Sequence, residues 1–130
     1  GIGASTAALE EPYSDDPAGE NRGILQIEPP EMRRAIGLAK AAGLGVEAHT
    51  IGDRSARELL DAFEDRGVSA EDRYTLTHCQ VLSPDLMAKM ARLGVVASVQ
   101  PQFNFSDAAV APSRLGRGSA RLRSSYAWRS

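Results

Sequence analysis

A chain of 130 residues with 42% hydrophobic side chains is long enough to fold as one packed domain. Its 15 basic and 17 acidic residues nearly cancel, which argues against the positive field of a nucleic-acid binder. The single cysteine, Cys79, excludes an internal disulfide and suits a reducing, cytoplasmic setting, and no apolar run approaches the roughly 20 residues that span a bilayer.

The chain opens on Gly1 rather than a methionine, lacks a charged and apolar leader, and stops at Ser130 just after an apolar segment, so both ends read as cut. Residues 1–30 are punctuated by Pro12, Pro17, Gly19, Gly23, Pro29 and Pro30 and read as a loop-rich opening. Within them Gly23 to Ile27 fits a short strand or an extended segment. A first helix follows, with Pro30 in its first turn, Met32, Ala35, Ile36 and Ala39 at helical spacing, and Gly43 as its stop.

A strand is expected over 45–49, then a helix capped by Asp53 or by Ser55, the latter forming a capping-box signature with Glu58. Ala56, Leu59, Leu60 and Phe63 give this helix its apolar stripe, and Gly67 closes it. A second strand is expected over 73–78. Ser83-Pro84-Asp85 then starts a third helix striped by Leu86, Met90 and Leu93 and stopped by Gly94. Val95 to Val99 reads as a strand buried on both faces. The alternation over 31–100 predicts an α/β fold of right-handed βα units on a parallel sheet. Residues 101–130 read as a long loop to about 115 and a further helix from Leu115 to Trp128. The arginines at 114, 117, 121, 123 and 129 fit a solvated helix face or loop, since no aromatic residues interleave with them.

Two histidines stand at the ends of the first two strands: His49, before Thr50-Ile51-Gly52-Asp53, and His78, after Thr75-Leu76-Thr77. In a parallel sheet both imidazoles lie at the rim where barrel enzymes keep metals and substrates, and neutral imidazole is a common zinc ligand. Spacing alone leaves open whether they are ligands or ordinary polar residues of a sheet rim, because no HxH, no HExxH and no evident third ligand accompanies them. Asp53 serves equally as a general base or a helix cap, and Cys79 reads as a small buried side chain rather than a nucleophile. Gln100-Pro101 puts a polar side chain at the same rim, either touching substrate or ending the strand. Gly1-Ile2-Gly3-Ala4-Ser5-Thr6 lacks the preceding strand and the lysine of a phosphate loop.

Gly3-Ala4-Ser5-Thr6-Ala7-Ala8-Leu9, Pro12-Tyr13-Ser14-Asp15, His49-Thr50-Ile51-Gly52-Asp53, His78-Cys79-Gln80, Ser98-Val99-Gln100-Pro101 and Tyr126-Ala127-Trp128-Arg129-Ser130, in this order, resemble the amidohydrolase type-3 family, which includes N-substituted formamide deformylases. The resemblance implies part of a TIM (β/α)8 barrel, about half of it, since such barrels take about 250 residues. It implies His49 and His78 as metal ligands at the ends of the fifth and sixth barrel strands, with the loop from Gly3 to Ala7 at the pocket mouth. A divalent metal, zinc in first place, is the implied cofactor, and Ser5, Thr6 and Gln100 are the implied substrate-binding residues. The implied reaction is hydrolysis of amide or formamide C–N bonds in a small molecule by metal-activated water. The family's first-strand histidine pair, the lysine or acid near its fourth strand and the aspartate of its eighth have no counterpart here. Thr77 stands where the family commonly has an acid.

The first reading is therefore a central portion of a metal-dependent hydrolase, inactive alone, whose open sheet edges would pair with a second copy or dock onto the rest of a barrel. A non-catalytic regulatory or interaction unit on the same scaffold is the alternative. A flavodoxin-like nucleotide binder suits the length but lacks a phosphate-binding fingerprint.

Overall fold

The computed structural model describes residues 1–128; Arg129 and Ser130, which belong to the terminal motif and the basic cluster above, lie outside the described residues. Helix α1 (Pro29–Ala41) begins where proline's fixed φ and missing N–H do no harm, with Met32 and Ile36 on its buried side. Strand β1 (Glu47–Thr50) leads into α2 (Asp53–Asp65), which buries Ala56, Leu59, Leu60, Ala62 and Phe63. A single 3-10 turn (Ala70–Asp72) precedes β2 (Thr75–His78). Helix α3 (Pro84–Leu93) starts on Ser83-Pro84 and ends at Gly94, whose φ of 67° provides the left-handed stop. Strand β3 (Val96–Ser98) and the short helices α4 (Gln102–Ser106), α5 (Ala111–Leu115) and α6 (Ala120–Arg123) complete the chain.

The three strands pair in parallel in the order β1-β2-β3, with His49 opposite Thr77 and Thr77 opposite Ser98. Side chains alternate across a sheet, so Ala48 and Leu76 face the helices while Glu47, His49, Thr75, Thr77, Val96 and Ser98 share the other face. The helix side is sealed by Met32 and Ile36 of α1, Leu60 and Phe63 of α2, and Leu86 and Met90 of α3, packed on Leu76 and Tyr74. Each such side chain contributes about 1.5–3 kcal/mol by burial. Ion pairs run along the seams, Arg33 with Asp65 between α1 and α2, and Lys89 and Arg92 with Glu64 between α2 and α3. Such exposed pairs add at most about 1 kcal/mol each.

A second core joins the two ends of the chain. Ile2, Ala7, Leu9 and Tyr13 of the opening loop pack with Val81, Ala111 and Leu115. Arg121 holds the same junction by donating to the carbonyls of Leu115, Glu11 and Pro12 and to Ser14 Oγ. Arg114 pairs with Asp15 and donates to the Gly3 carbonyl.

Several expectations change. The stretch from 101 to 115 contains α4 and α5, and Leu115 to Trp128 forms only the one-turn α6, because Gly116 and Gly118 take positive φ. Of the two readings of Gly23 to Ile27, a short strand or an extended segment, the strand does not form. Strand β3 is an edge, with Val96 46% exposed, rather than buried on both faces. Arg114 and Arg121 are clasps between chain ends, not a solvated face. Ser55 caps nothing: Gly52 is the N-cap of α2, Ser55 Oγ donates to the Gly52 carbonyl, and Asp53 is already inside the first turn. The capping box that does form is Ser69 with Asp72, at the 3-10 turn.

Candidate metal centre

The strand alternation that puts His49 on the open face would put His78, two residues beyond Leu76, on the helix face. That does not happen. His78 leaves the extended region with φ 82° and Cys79 follows at φ 50°, so the chain kinks left-handed at the end of β2. The His78 ring thereby meets His49 edge-on, ring centroids 4.8 Å apart, with His78 Nε2 3.1 Å from His49 Nδ1. Cys79 N–H donating to the Thr50 carbonyl and Trp128 Nε1 donating to the Cys79 carbonyl fix the kink.

Phe103, on α4, also packs edge-on with the His78 ring, centroids 5.6 Å apart. The sequence reading missed this contact, because 101–115 shows no period; the aromatic pair Phe103 and Phe105 inside a polar stretch was the available signal. Burial, then the neighbouring His49, hold the His78 pKa below the usual histidine range, while Gln100 pulls it the other way. The ring is thus neutral at pH 7, the form that binds a metal.

The two facing nitrogens fit a shared cation. Two nitrogens each about 2.0–2.1 Å from one tetrahedral zinc stand about 3.3 Å apart, close to the 3.1 Å seen. Among the described residues, however, no group of three or more His, Cys, Asp or Glu side chains converges to hold a metal. The pair is a partial ligand set, since a catalytic zinc takes about three protein ligands.

Of the expected substrate contacts, Gln100 alone is among the groups acting on His78: it follows β3 as His78 ends β2, and its Nε2 donates to the Ser98 carbonyl at 3.1 Å. Ser5 and Thr6 make no hydrogen bond to either histidine among the described residues. Thr6 Oγ1 accepts from the Gly1 nitrogen at 2.8 Å. Ser5 takes φ 53° and its carbonyl accepts from Asn21 Nδ2.

Asp53 is buried and accepts from the backbone N–H of Glu10 and of Arg54, tying the opening loop to α2, and burial raises its pKa. Gly52 before it lies against the Ala8 carbonyl, where a Cβ would overlap the oxygen. Cys79 is 2% exposed, with its thiol pushed up to about 11 by burial, so it is neither ligand nor nucleophile here. A cavity of about 600 Å³ opens elsewhere, between the starts of α2 and α3 and helix α6, lined by Glu10, Asp53, Met87 and Arg121 among others. It includes neither histidine. The chemistry-bearing groups lie on the open sheet face instead.

All of residues 1–130 match the profile of the amidohydrolase family Amidohydro_3. The chain is 33% identical over 128 residues to "Putative amidohydrolase YtcJ" of Bacillus subtilis, which covers 98% of this chain and 23% of that protein. It is 31% identical to "Protein LONG AFTER FAR-RED 3" of Arabidopsis thaliana, over 99% of this chain and 22% of that one. Two crystal structures of uncharacterized metal-dependent hydrolases are similar in fold. That from Pyrococcus furiosus has a TM-score of 0.83 at 34% identity, over 97% of this chain and 25% of its own. That from Pyrococcus horikoshii has a TM-score of 0.83 at 35% identity, over 97% and 24%. The chain thus spans about a quarter of the length of these relatives. No helix among the described residues is long and apolar enough to cross a membrane.

Proposed function

The chain belongs to the amidohydrolase family, and from that premise we propose that it is the portion of a metal-dependent hydrolase barrel that contributes two ligands, His49 and His78, to a divalent metal, zinc in first place. The observation that carries this reading is the 3.1 Å approach of His49 Nδ1 and His78 Nε2 from neighbouring parallel strands. The description of both archaeal structures as metal-dependent hydrolases supports it. The remaining ligands come from outside this chain, as does the rest of the TIM barrel that closes both edges of the β1-β2-β3 sheet. Holding two of the about three protein ligands that a catalytic zinc takes, these 130 residues alone would be inactive.

The substrate is a small molecule with an amide or formamide C–N bond, in keeping with the name of the bacterial relative and with the formamide deformylases that the sequence resembles. A divalent metal held by the two rings supplies Lewis acidity, making water nucleophilic near neutral pH and polarising the scissile carbonyl. The chain's own residues prepare the place. Burial keeps His78 neutral with a lone pair to offer, and the edge-on contact with Phe103 restricts the swing of its ring. Ser5, whose hydroxyl makes no internal hydrogen bond among the described residues, and Thr6 line the loop through which substrate arrives. A non-catalytic scaffold role draws no support from a facing pair of imidazoles.

Metal analysis of the full-length protein tests the reading. Wild type is expected to contain about one or two zinc ions, and the double variant His49→Ala/His78→Ala to lose that metal together with activity on N-formyl amines and simple amides. Unchanged metal content in the double variant refutes it.

A further inference from the structure

Four buried side-chain polar atoms lack a hydrogen-bond partner among the described residues, and two of them belong to neighbours at the sheet rim: His78 Nδ1 and Gln100 Oε1. Buried polar atoms are rarely left unpaired without a reason. Strands β2 and β3 run in parallel with Thr77 opposite Ser98, so His78 and Gln100 follow a matched pair at the same end of the sheet. The Gln100 amide is oriented by its own backbone: Nε2 donates to the Ser98 carbonyl, which assigns the other terminal atom, Oε1, as the acceptor that is left over. The side chain interacts with His78 but stops short of a formed hydrogen bond.

A neutral imidazole carries one N–H, and its partners decide on which nitrogen. With the proton on Nε2, the rim holds two buried acceptors, Nδ1 and Gln100 Oε1, neither of which can satisfy the other. With the proton on Nδ1, one of the two becomes a donor that the other can accept, and the lone pair of Nε2 is left toward His49 Nδ1.

We propose that Gln100 is a positioning residue: its Oε1 selects the Nδ1–H form of His78 and so presents Nε2 as the coordinating nitrogen. The metal half of this statement rests on the reading given under Proposed function; the tautomer half does not. Gln100 then acts on the centre through His78 rather than by binding substrate. In the metal-free protein His49 Nδ1 must donate to His78 Nε2, and a cation takes the place of that proton.

The test uses the full-length protein with ring-labelled histidines. Nitrogen NMR of the metal-free wild type is expected to show His78, identified by its absence in His78→Ala, with the proton on Nδ1. Gln100→Leu, which removes the acceptor at similar size, is expected to shift His78 toward the Nε2–H form and to weaken zinc binding in chelator competition about 10- to 100-fold. Gln100→Glu keeps an acceptor and is expected to stay within a few-fold of wild type. An Nε2–H tautomer in wild type overturns the proposal, and this measurement stands even if Gln100→Leu fails to fold. A Gln100→Leu protein with unchanged tautomer and zinc affinity, or one changed only in KM, also overturns it. If wild type binds no zinc but the tautomer follows Gln100, the positioning role holds and the metal reading fails.

Discussion

The Glu47 carboxylate accepts the Thr77 hydroxyl at 2.6 Å, a diagonal link from β1 to β2 on the face that carries His49. Thr77 is 8% exposed and stands opposite His49, so this bond pins the register of the two strands beneath the imidazole pair. Thr77→Val removes the donor at constant shape and is expected to lower the stability of the full-length protein by about 0.5–1.5 kcal/mol. Urea denaturation reads the change; an unaltered midpoint would show that the link contributes nothing.

Arg121 reaches four carbonyls, those of Leu115, Glu11, Pro12 and Arg114, and a hydroxyl on both sides of the junction between chain ends. Its planar fork makes these bonds together, which a lysine ammonium cannot reproduce. Arg121→Ala and Arg121→Lys are both expected to accelerate hydrogen exchange over residues 11–15, and the alanine variant to cost about 1.5–3 kcal/mol. Equal exchange rates in Arg121→Lys and wild type would contradict the account.

Gly52 occupies its place for closeness, not for conformational freedom, since its φ of −92° suits any residue. A methyl group there would meet the Ala8 carbonyl, which is backbone and cannot swing away. Gly52→Ala is expected to destabilise by about 1–3 kcal/mol or more and to loosen the opening loop. Limited proteolysis within residues 1–28 is the readout, and wild-type resistance would refute the clash.

Asp72 takes part in acid stability. The Lys40 ammonium first, at 2.8 Å, and then the Ser69 N–H hold its carboxyl below the usual aspartate range. The folded form therefore binds fewer protons than the unfolded form, so the contribution is complete above the ordinary aspartate pKa and is lost as pH falls through the depressed one. Asp53 has the opposite sign: burial raises its pKa, so its contribution declines as pH rises toward the raised value. Asp72→Asn is expected to flatten the decline in stability below about pH 4. A decline as steep as in wild type would remove Asp72 from this role.

Periodicity located α1, α2, α3 and three strands because each buries a regular stripe against one sheet. Leu59, Leu60 and Phe63 announce α2, and Leu86, Met90 and Leu93 announce α3. The short helices after β3 were not legible, since five-residue segments such as Gln102–Ser106 contain too few turns to show a period. The openness of β3 was also hidden: its composition suits a central strand, but among the described residues nothing pairs beyond it. Of the site, the His49 and His78 positions at one rim were legible from strand ends. What brings the rings into contact was not, because positive φ at a histidine and a cysteine has no sequence signature. The Arg121 clasp was invisible for a different reason: it joins residues about a hundred positions apart, recorded as separations of 110 and 109 to Glu11 and Pro12.

The left-handed step at His78 and Cys79 has one more consequence. Non-glycine residues held in that region store on the order of 1–3 kcal/mol each, and here the tension is contained by the neighbouring strand and by Trp128. It is loaded while the polypeptide folds, so the 3.1 Å approach of the two rings is built into the fold itself. A glycine at position 79 would relax the spring, leaving a sturdier scaffold whose two imidazoles are held together less firmly.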